Sequence, residues 1–274
     1  MGEGAGDGGA GGGGDAWAPL ADRFVDGHYG SLRGRVRTYV IDQHLRAHLA
    51  PPPLGIVDVG GGAGHQSVPL ARAGYDVTIV DPSPAMLDRA RALLTEEDHA
   101  VARRVRLVEA PGEGAPDALG GERFGGVLCH GVLMYLDDPG PLVGALCALA
   151  DRGGVVSIVA KNVEVMAVRP ALEGDWATAL AMFDSDRQVN GLGVDTRGDD
   201  VGALSALLRD RGVEPIDWYG VRLFTDGWAP ERPASDPDDL VLQVELEASR
   251  RDPYRRMSRL FHLVGRRGCV RAPA

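Results

Sequence analysis

The sequence predicts an α/β fold built on a doubly wound, Rossmann-like parallel sheet, and three features carry the prediction. Short apolar runs alternate with helix-period segments between residues 55 and 160. That alternation is the signature of parallel strands joined by crossover helices. The first apolar run, Ile56-Val57-Asp58-Val59, leads straight into the glycine turn Gly60-Gly61-Gly62-Ala63-Gly64. Asp81 ends the second run, about twenty residues beyond the first glycine, the usual distance for a carboxylate that grips ribose hydroxyls. Such a unit opens a nucleoside-binding crevice at the carboxyl end of a strand.

The elements follow in order. Residues 1–15 are Gly-rich and acidic and read as a disordered tail. One domain spans residues 16–268, and 269–274 form a short C-terminal tail. Residues 22–49 read as a helical region, because Leu32, Val36 and Val40 recur at helical spacing and Pro51-Pro52-Pro53 ends the pattern. Strand one covers 55–59, with a helix at 66–73, and strand two covers 76–80. The next helix opens on Ser83 as cap with Pro84 in its first turn, and carries Met86, Leu87, Ala90, Leu93 and Leu94. Strands three and four are 105–109 and 126–129. Asp138-Pro139 opens a helix through Leu149, and Gly153-Gly154 turns it into strand five at 155–160. Residues 162–198 show no clear strand and read as a helical insertion at the mouth of the sheet. A helix at 201–211 stops at Gly212. A sixth strand covers 214–224, a helix with Leu240, Val244 and Leu246 inward covers 236–251, and a last strand covers 259–264.

Composition narrows the class. With 274 residues, 44% hydrophobic and 25% charged, the chain can bury one good core. The net charge of −10 leaves no generally basic surface for DNA, so any RNA contact must be a local patch. The C-terminal arginines, from Arg250 to Arg271, are a candidate for such a patch. The three cysteines lack metal-type spacing and suit reduced thiols in a cytoplasm. No apolar run reaches membrane-spanning length, and no apolar leader core precedes the domain.

The glycine turn separates two cofactors. A dinucleotide turn reads G-x-G-x-x-G, but His65 stands at the last position here. The chain reads G-x-G-x-G instead, the form typical of S-adenosyl-L-methionine (SAM) binders. The glycines permit close approach because a Cβ would collide with the ligand.

Beyond this motif the chain resembles class I SAM-dependent methyltransferases over about residues 20–268, which implies their seven-stranded sheet. Several strings are similar to one family, the bacterial tRNA 5-carboxymethoxyuridine methyltransferases. They are His28-Tyr29-Gly30-Ser31 with Arg33 and Arg37, Asp58-Val59-Gly60-Gly61-Gly62, Cys129-His130-Gly131-Val132-Leu133, Asn162, Gly220-Val221-Arg222-Leu223-Phe224-Thr225-Asp226, and Asp252-Pro253-Tyr254. The resemblance implies that Arg37 binds the methionine carboxylate of SAM and that Gly60, Gly61 and Gly62 form the close turn. It further implies that Asp81 takes the ribose, that Gly112 and Glu113 lie beside the adenine, and that His130 closes the pocket. Arg222 would grip an acceptor carboxylate, with Tyr29 and Asn162 as weaker acceptor contacts. Taken as bare residues, Arg37 reads equally as a solvated helix arginine, His130 as a strand cap, and Arg222 as a solvent-facing arginine of a strand.

A carboxylate is ionised at neutral pH, so methyl transfer to it needs no general base and no metal. The resemblance implies that the acceptor is tRNA or a small-molecule carboxylate, with no DNA and no membrane involved. A small-molecule O- or N-methyltransferase is the alternative, and a SAM-binding protein without catalysis is a third reading.

Overall fold

The computed structural model describes residues 31–191, 193–227 and 238–268. Both expected tails, residues 16–30 of the expected domain and Tyr29 itself lie outside the described residues.

Helix α1 (Leu32–His48) begins at Ser31, whose hydroxyl accepts from the Gly34 N–H at 3.2 Å. Strand β1 (Gly55–Val59), helix α2 (Ser67–Arg72), strand β2 (Asp76–Asp81) and helix α3 (Pro84–Thr95) follow as expected. Ser83 caps α3 by accepting from the Met86 N–H at 3.2 Å. Then come β3 (Val105–Glu109), β4 (Phe124–His130), α4 (Gly140–Leu149) and β5 (Ala150–Lys161). The insertion holds short helices α5 (Val168–Leu172) and α6 (Trp176–Ala181) and a hairpin, β6 (Arg187–Val189) with β7 (Asp195–Arg197). Helix α7 (Val201–Arg209), β8 (Val213–Val221), α8 (Asp238–Ser249) and β9 (Leu260–Arg267) complete the described chain.

The sheet has seven strands in the order β3-β2-β1-β4-β5-β9-β8. Strands β1 to β5 are parallel, and β9 runs antiparallel to both β5 and β8. Side chains alternate across the two faces. On β4, Val127 and Cys129 pack with α4 and α7 through Leu142, Leu146, Leu204 and Leu208. Leu128, between them, packs on the opposite face with Val36, Val40, Ile41 and Leu45 of α1. Both faces are therefore covered, and ligand access is left to the strand ends. Among the described residues no helix is long and apolar enough to cross a membrane. Cys129 and Cys147 are buried free thiols.

Four local expectations change. Gly153-Gly154 does not separate α4 from β5; both glycines lie inside β5, with Gly153 at φ +74° where the pairing with β4 shifts register. The insertion contains a hairpin that apolar alternation could not reveal, because its strands are polar and Arg187 pairs with Asp195 at 2.6 Å. The sixth predicted strand stops at Val221, since Arg222 adopts φ +63°. In α8, Leu240 and Val244 are 62% and 52% exposed, and Glu245 and Ser249 turn inward instead. The buried stripe of α8 is partly polar, so counting apolar residues chose the wrong phase.

Candidate functional site

A cleft of about 220 Å³ opens at the carboxyl ends of β1 to β4. Of the predicted cofactor residues, Gly60, Gly61, Gly62, Asp81, Gly112, Glu113 and His130 border it, while Met86, Val132, Leu136 and Leu142 supply apolar walls. The glycine turn is cramped from several sides. A Cβ on Gly60 would lie 2.4 Å from Val132 Cγ2, one on Gly61 2.8 Å from the Asp58 carboxyl, and one on Gly62 2.8 Å from Met86 Cε. Gly60 and Gly62 also have φ of +72° and +54°, which L side chains resist.

Asp81 ends β2 and is held from both sides. Its Oδ2 accepts from the Gly62 N–H and its Oδ1 from the Ser83 N–H, each at 2.9 Å. The carboxylate thus ties the glycine turn to the start of α3 while bordering the cleft. Asp58, beneath the turn, accepts from the Ser67 hydroxyl at 2.7 Å. Burial pushes its carboxyl up to about 6, with Ser67 and Arg37 pulling the other way. The folded protein therefore binds this proton more tightly than the unfolded chain does. The contribution is favourable below the unfolded value and is lost as pH rises through about 6. Asp58→Asn should raise stability at pH 7.5 by about 1–3 kcal/mol. The gain should shrink at pH 4.5. Urea melts at the two pH values check this, and an equal effect at both would mean that the Asp58 charge carries no penalty.

Arg37 is 4% exposed, so it is not a solvated helix arginine. Its Nη2 donates to the His130 carbonyl at 3.1 Å, which brings the guanidinium from α1 to the end of β4. The His130 ring bonds Ser157 Oγ through Nε2 at 2.8 Å. Gly112 and Glu113 form a short turn after β3, with Gly112 packed under Leu142 and Glu113 exposed.

A second cavity, bordered by Arg169, Glu173, Arg222, Asp226 and Arg259, lies beside α5. Arg222 is 8% exposed, and its Nη2 donates to Asp226 Oδ1 while its Nε has no partner. Arg33, Arg37 and Arg259 are close enough that their charge opposes protonation of Arg222, although burial is the larger cause. Arg259 Nη2 donates to Gln188 and its Nη1 is buried without a partner. The Asp226 carboxylate pairs with Arg222, Arg33 donates to the Asp226 backbone carbonyl, and the charges of Arg37 and Arg259 also reach Arg222.

Asn162 departs from its expected acceptor role. It is 3% exposed, donates from Nδ2 to the Arg256 and Ser258 carbonyls, and accepts from the Glu164 N–H. It ties β5 to the chain before β9. Five of the described C-terminal arginines turn to the protein's own groups. Arg251 pairs with Glu247, and Arg255 and Arg256 with Asp252, while Arg266 and Arg267 donate to backbone carbonyls. The one lysine, Lys161, is buried against Thr196, its Nζ 3.1 Å from the hydroxyl, and burial lowers it to about 8. Glu245 has no sequence signal, yet it orders the loop that carries Arg222. Its carboxylate accepts from the Leu223 N–H at 3.0 Å and from both the N–H and hydroxyl of Thr225 at 2.7 Å.

Comparisons with known proteins agree with this geometry. The model of a methyltransferase domain family matches residues 57–158. The tRNA 5-carboxymethoxyuridine methyltransferase of Escherichia coli (strain K12) is 24% identical, over 90% of this chain and 94% of its own length. The ubiquinone biosynthesis O-methyltransferase of Methylobacterium nodulans is 30% identical, over 58% of this chain and 70% of its own length. Among solved structures, magnesium protoporphyrin IX methyltransferase from Synechocystis PCC 6803, with bound SAH, superposes with a TM-score of 0.62 at 16% identity, covering 93% of this chain and 97% of that one. The chain belongs to the class I SAM-dependent methyltransferases. Its cofactor is SAM, and the cleft fits it: a glycine cradle that Cβ atoms would fill, a carboxylate at the end of β2, and apolar walls.

Proposed function

We propose that the enzyme methylates a carboxylate, such as that of 5-carboxymethoxyuridine in tRNA. The observation that carries this reading is the buried Arg222 within an arginine-rich cavity, one guanidinium edge on Asp226 and Nε without a partner. A guanidinium matches a carboxylate through paired donors. Arg33, Arg37 and Arg259 add positive charge that favours an anion over a neutral acceptor. Similarity to the E. coli tRNA enzyme along nearly the whole chain supports the same reading. The carboxylate is better supported than the RNA, because five of the described C-terminal arginines engage the protein's own carboxylates or carbonyls.

When bound, SAM would supply an electrophilic methyl group to an acceptor carboxylate oxygen. The protein's own task is to bind, orient and keep water out. Arg222 holds one carboxylate oxygen and leaves the other to attack. Arg37 would hold the methionine carboxylate of the cofactor, Asp81 its ribose hydroxyls, and Gly112 and Glu113 its adenine. A small-molecule O-methyltransferase is the second reading, favoured by the 30% identity to the ubiquinone-pathway enzyme. Mass spectrometry of tRNA nucleosides and small metabolites from a deletion strain separates the two. Loss of a nucleoside methyl ester supports the tRNA acceptor, and an unmethylated metabolite with intact tRNA rejects it.

Two cofactor predictions follow from the geometry. Asp81→Ala should weaken SAM binding by about 1–3 kcal/mol, the scale for losing a charge-assisted hydrogen bond and stranding its partner. Calorimetry showing unchanged affinity would remove Asp81 from the site. Arg37→Ala should also weaken SAM, and Arg37→Lys should not restore it, because lysine cannot bridge the His130 carbonyl and a carboxylate with a planar fork. Full recovery with lysine would mean that charge alone matters at this position.

A further inference from the structure

A row of buried polar side chains crosses the sheet on the face covered by α1, and the chemistry above does not use it. His130, Val159, His262 and Tyr219 are register partners on β4, β5, β9 and β8. Ser157, two residues before Val159, lies on the same face of β5. His130 Nε2 is 2.8 Å from Ser157 Oγ, which is 2.7 Å from His262 Nε2. His262 Nδ1 is 3.2 Å from His44 Nδ1, and His44 Nε2 is 2.9 Å from Ser249 Oγ. Ser249 Oγ in turn donates to the Leu246 carbonyl at 2.6 Å. His44, Ser157 and His262 are wholly buried, Ser249 is 2% exposed, and the His44 ring stacks on Tyr219 at 3.9 Å.

The line has one direction. A carbonyl only accepts, so the single proton of Ser249 goes to Leu246, and His44 must donate to Ser249 through Nε2–H. A neutral His44 then accepts at Nδ1, so His262 carries its proton on Nδ1 and accepts at Nε2. Ser157 donates to that nitrogen and must itself accept, which requires His130 to hold its proton on Nε2. His130 Nδ1 is left with a lone pair. It is a buried atom without a partner, on a residue that borders the cofactor cleft. Burial depresses all three imidazoles, His44 to about 2, His262 to about 3 and His130 well below the usual value, so each is neutral at pH 7. The line ends on a carbonyl that cannot take a proton, so it fixes a tautomer and does not conduct protons.

We propose that Ser249, His44, His262 and Ser157 are positioning residues that lock His130 in its Nε2–H tautomer, so that Nδ1 serves as a fixed hydrogen-bond acceptor for a donor group of the cofactor bound in the cleft. An unmet buried acceptor is costly, and a ligand donor would relieve it. The proposal rests on the cofactor assignment and is independent of the methyl acceptor.

Imidazole 15N NMR of the intact protein tests it without any acceptor present. Wild type should show His130 and His44 protonated on Nε2 and His262 on Nδ1. Saturating S-adenosylhomocysteine should move the His130 Nδ1 signal upfield, as a hydrogen bond to its lone pair would. Ser157→Ala and Ser249→Ala remove single hydroxyls and are expected to stay folded. Each should give a mixture of His130 tautomers, and Ser157→Ala should weaken SAM binding about three- to ten-fold. A proton on His130 Nδ1 in the wild type would overturn the proposal. So would an Nδ1 signal unmoved by S-adenosylhomocysteine, or a single unchanged tautomer in both serine variants.

Discussion

Arg222→Ala is expected to leave SAM affinity unchanged while cutting turnover of a carboxylate acceptor by about ten-fold to a thousand-fold, because a misplaced nucleophile forfeits much of the positioning advantage. The structure separates the two effects. Arg222 borders the cavity beside α5, and it is absent from the walls of the glycine-turn cleft. Its loop is held independently by Glu245, which accepts from Leu223 and Thr225, so the backbone course survives the truncation. One complication is built in. Removing the guanidinium strands the buried Asp226 carboxylate, and an unpaired buried charge is destabilising by several kcal/mol at most, roughly 3–5. Arg222→Ala combined with Asp226→Asn removes that charge and isolates the loss of the acceptor grip. SAM calorimetry reports the intact cofactor site, and thermal melts report the fold. For a neutral hydroxyl or amine acceptor the arginine would matter little, and another group would have to take a proton. Carboxylate methylation at the wild-type rate in a folded Arg222→Ala enzyme would sink the proposed role and leave the methyltransferase class untouched.

The parts of the molecule legible in sequence were those governed by local chemistry. The Ser83-Pro84 start of α3 acts within three residues, and the glycine turn and the carboxylate ending β2, though Gly62 and Asp81 are 19 residues apart, keep the spacing that the motif itself encodes. What the pattern missed depends on distant partners. Glu245 and Ser249 face inward because the Arg222 loop and α1 supply hydrogen-bond partners, 20 to 22 residues away for Glu245 and 205 for Ser249, and such partners leave no mark on helical periodicity. His44 and His262 are 218 positions apart, and only the sheet brings them together. Val221, Leu223 and Phe224 suit a strand, yet Arg222 between them takes a left-handed backbone at φ +63°, and Glu245 holds the next residue through the Leu223 N–H. The family string places Asn162 as a contact to the methyl acceptor, but the chain before β9 takes both Nδ2 protons of its amide.

Gly60→Ala should be the most damaging single methyl group that can be added to the cofactor site. Two independent penalties fall on it. The backbone has φ +72°, where an L-residue costs about 1–2 kcal/mol. The new Cβ would also sit 2.4 Å from Val132 Cγ2, and relieving such an overlap in a packed site costs about 1–3 kcal/mol. The turn cannot simply swing away, because the Gly60 N–H donates to the Val80 carbonyl at 2.7 Å and Asp81 holds the Gly62 N–H. Val132 borders the cleft, so displacing it narrows the cofactor's space directly. We expect a stability loss of about 2–5 kcal/mol and SAM binding weakened by at least about ten-fold. Val132→Ala in the same chain separates the two penalties. It removes the atom that clashes and should recover the packing share, leaving the backbone cost of about 1–2 kcal/mol in place. Calorimetry and thermal melts of the single and double variants make the comparison. If the double variant recovers nothing, Val132 is not the obstacle and the backbone conformation alone demands glycine. If Gly60→Ala binds SAM as wild type does, the glycine turn is not the close cradle assigned to it.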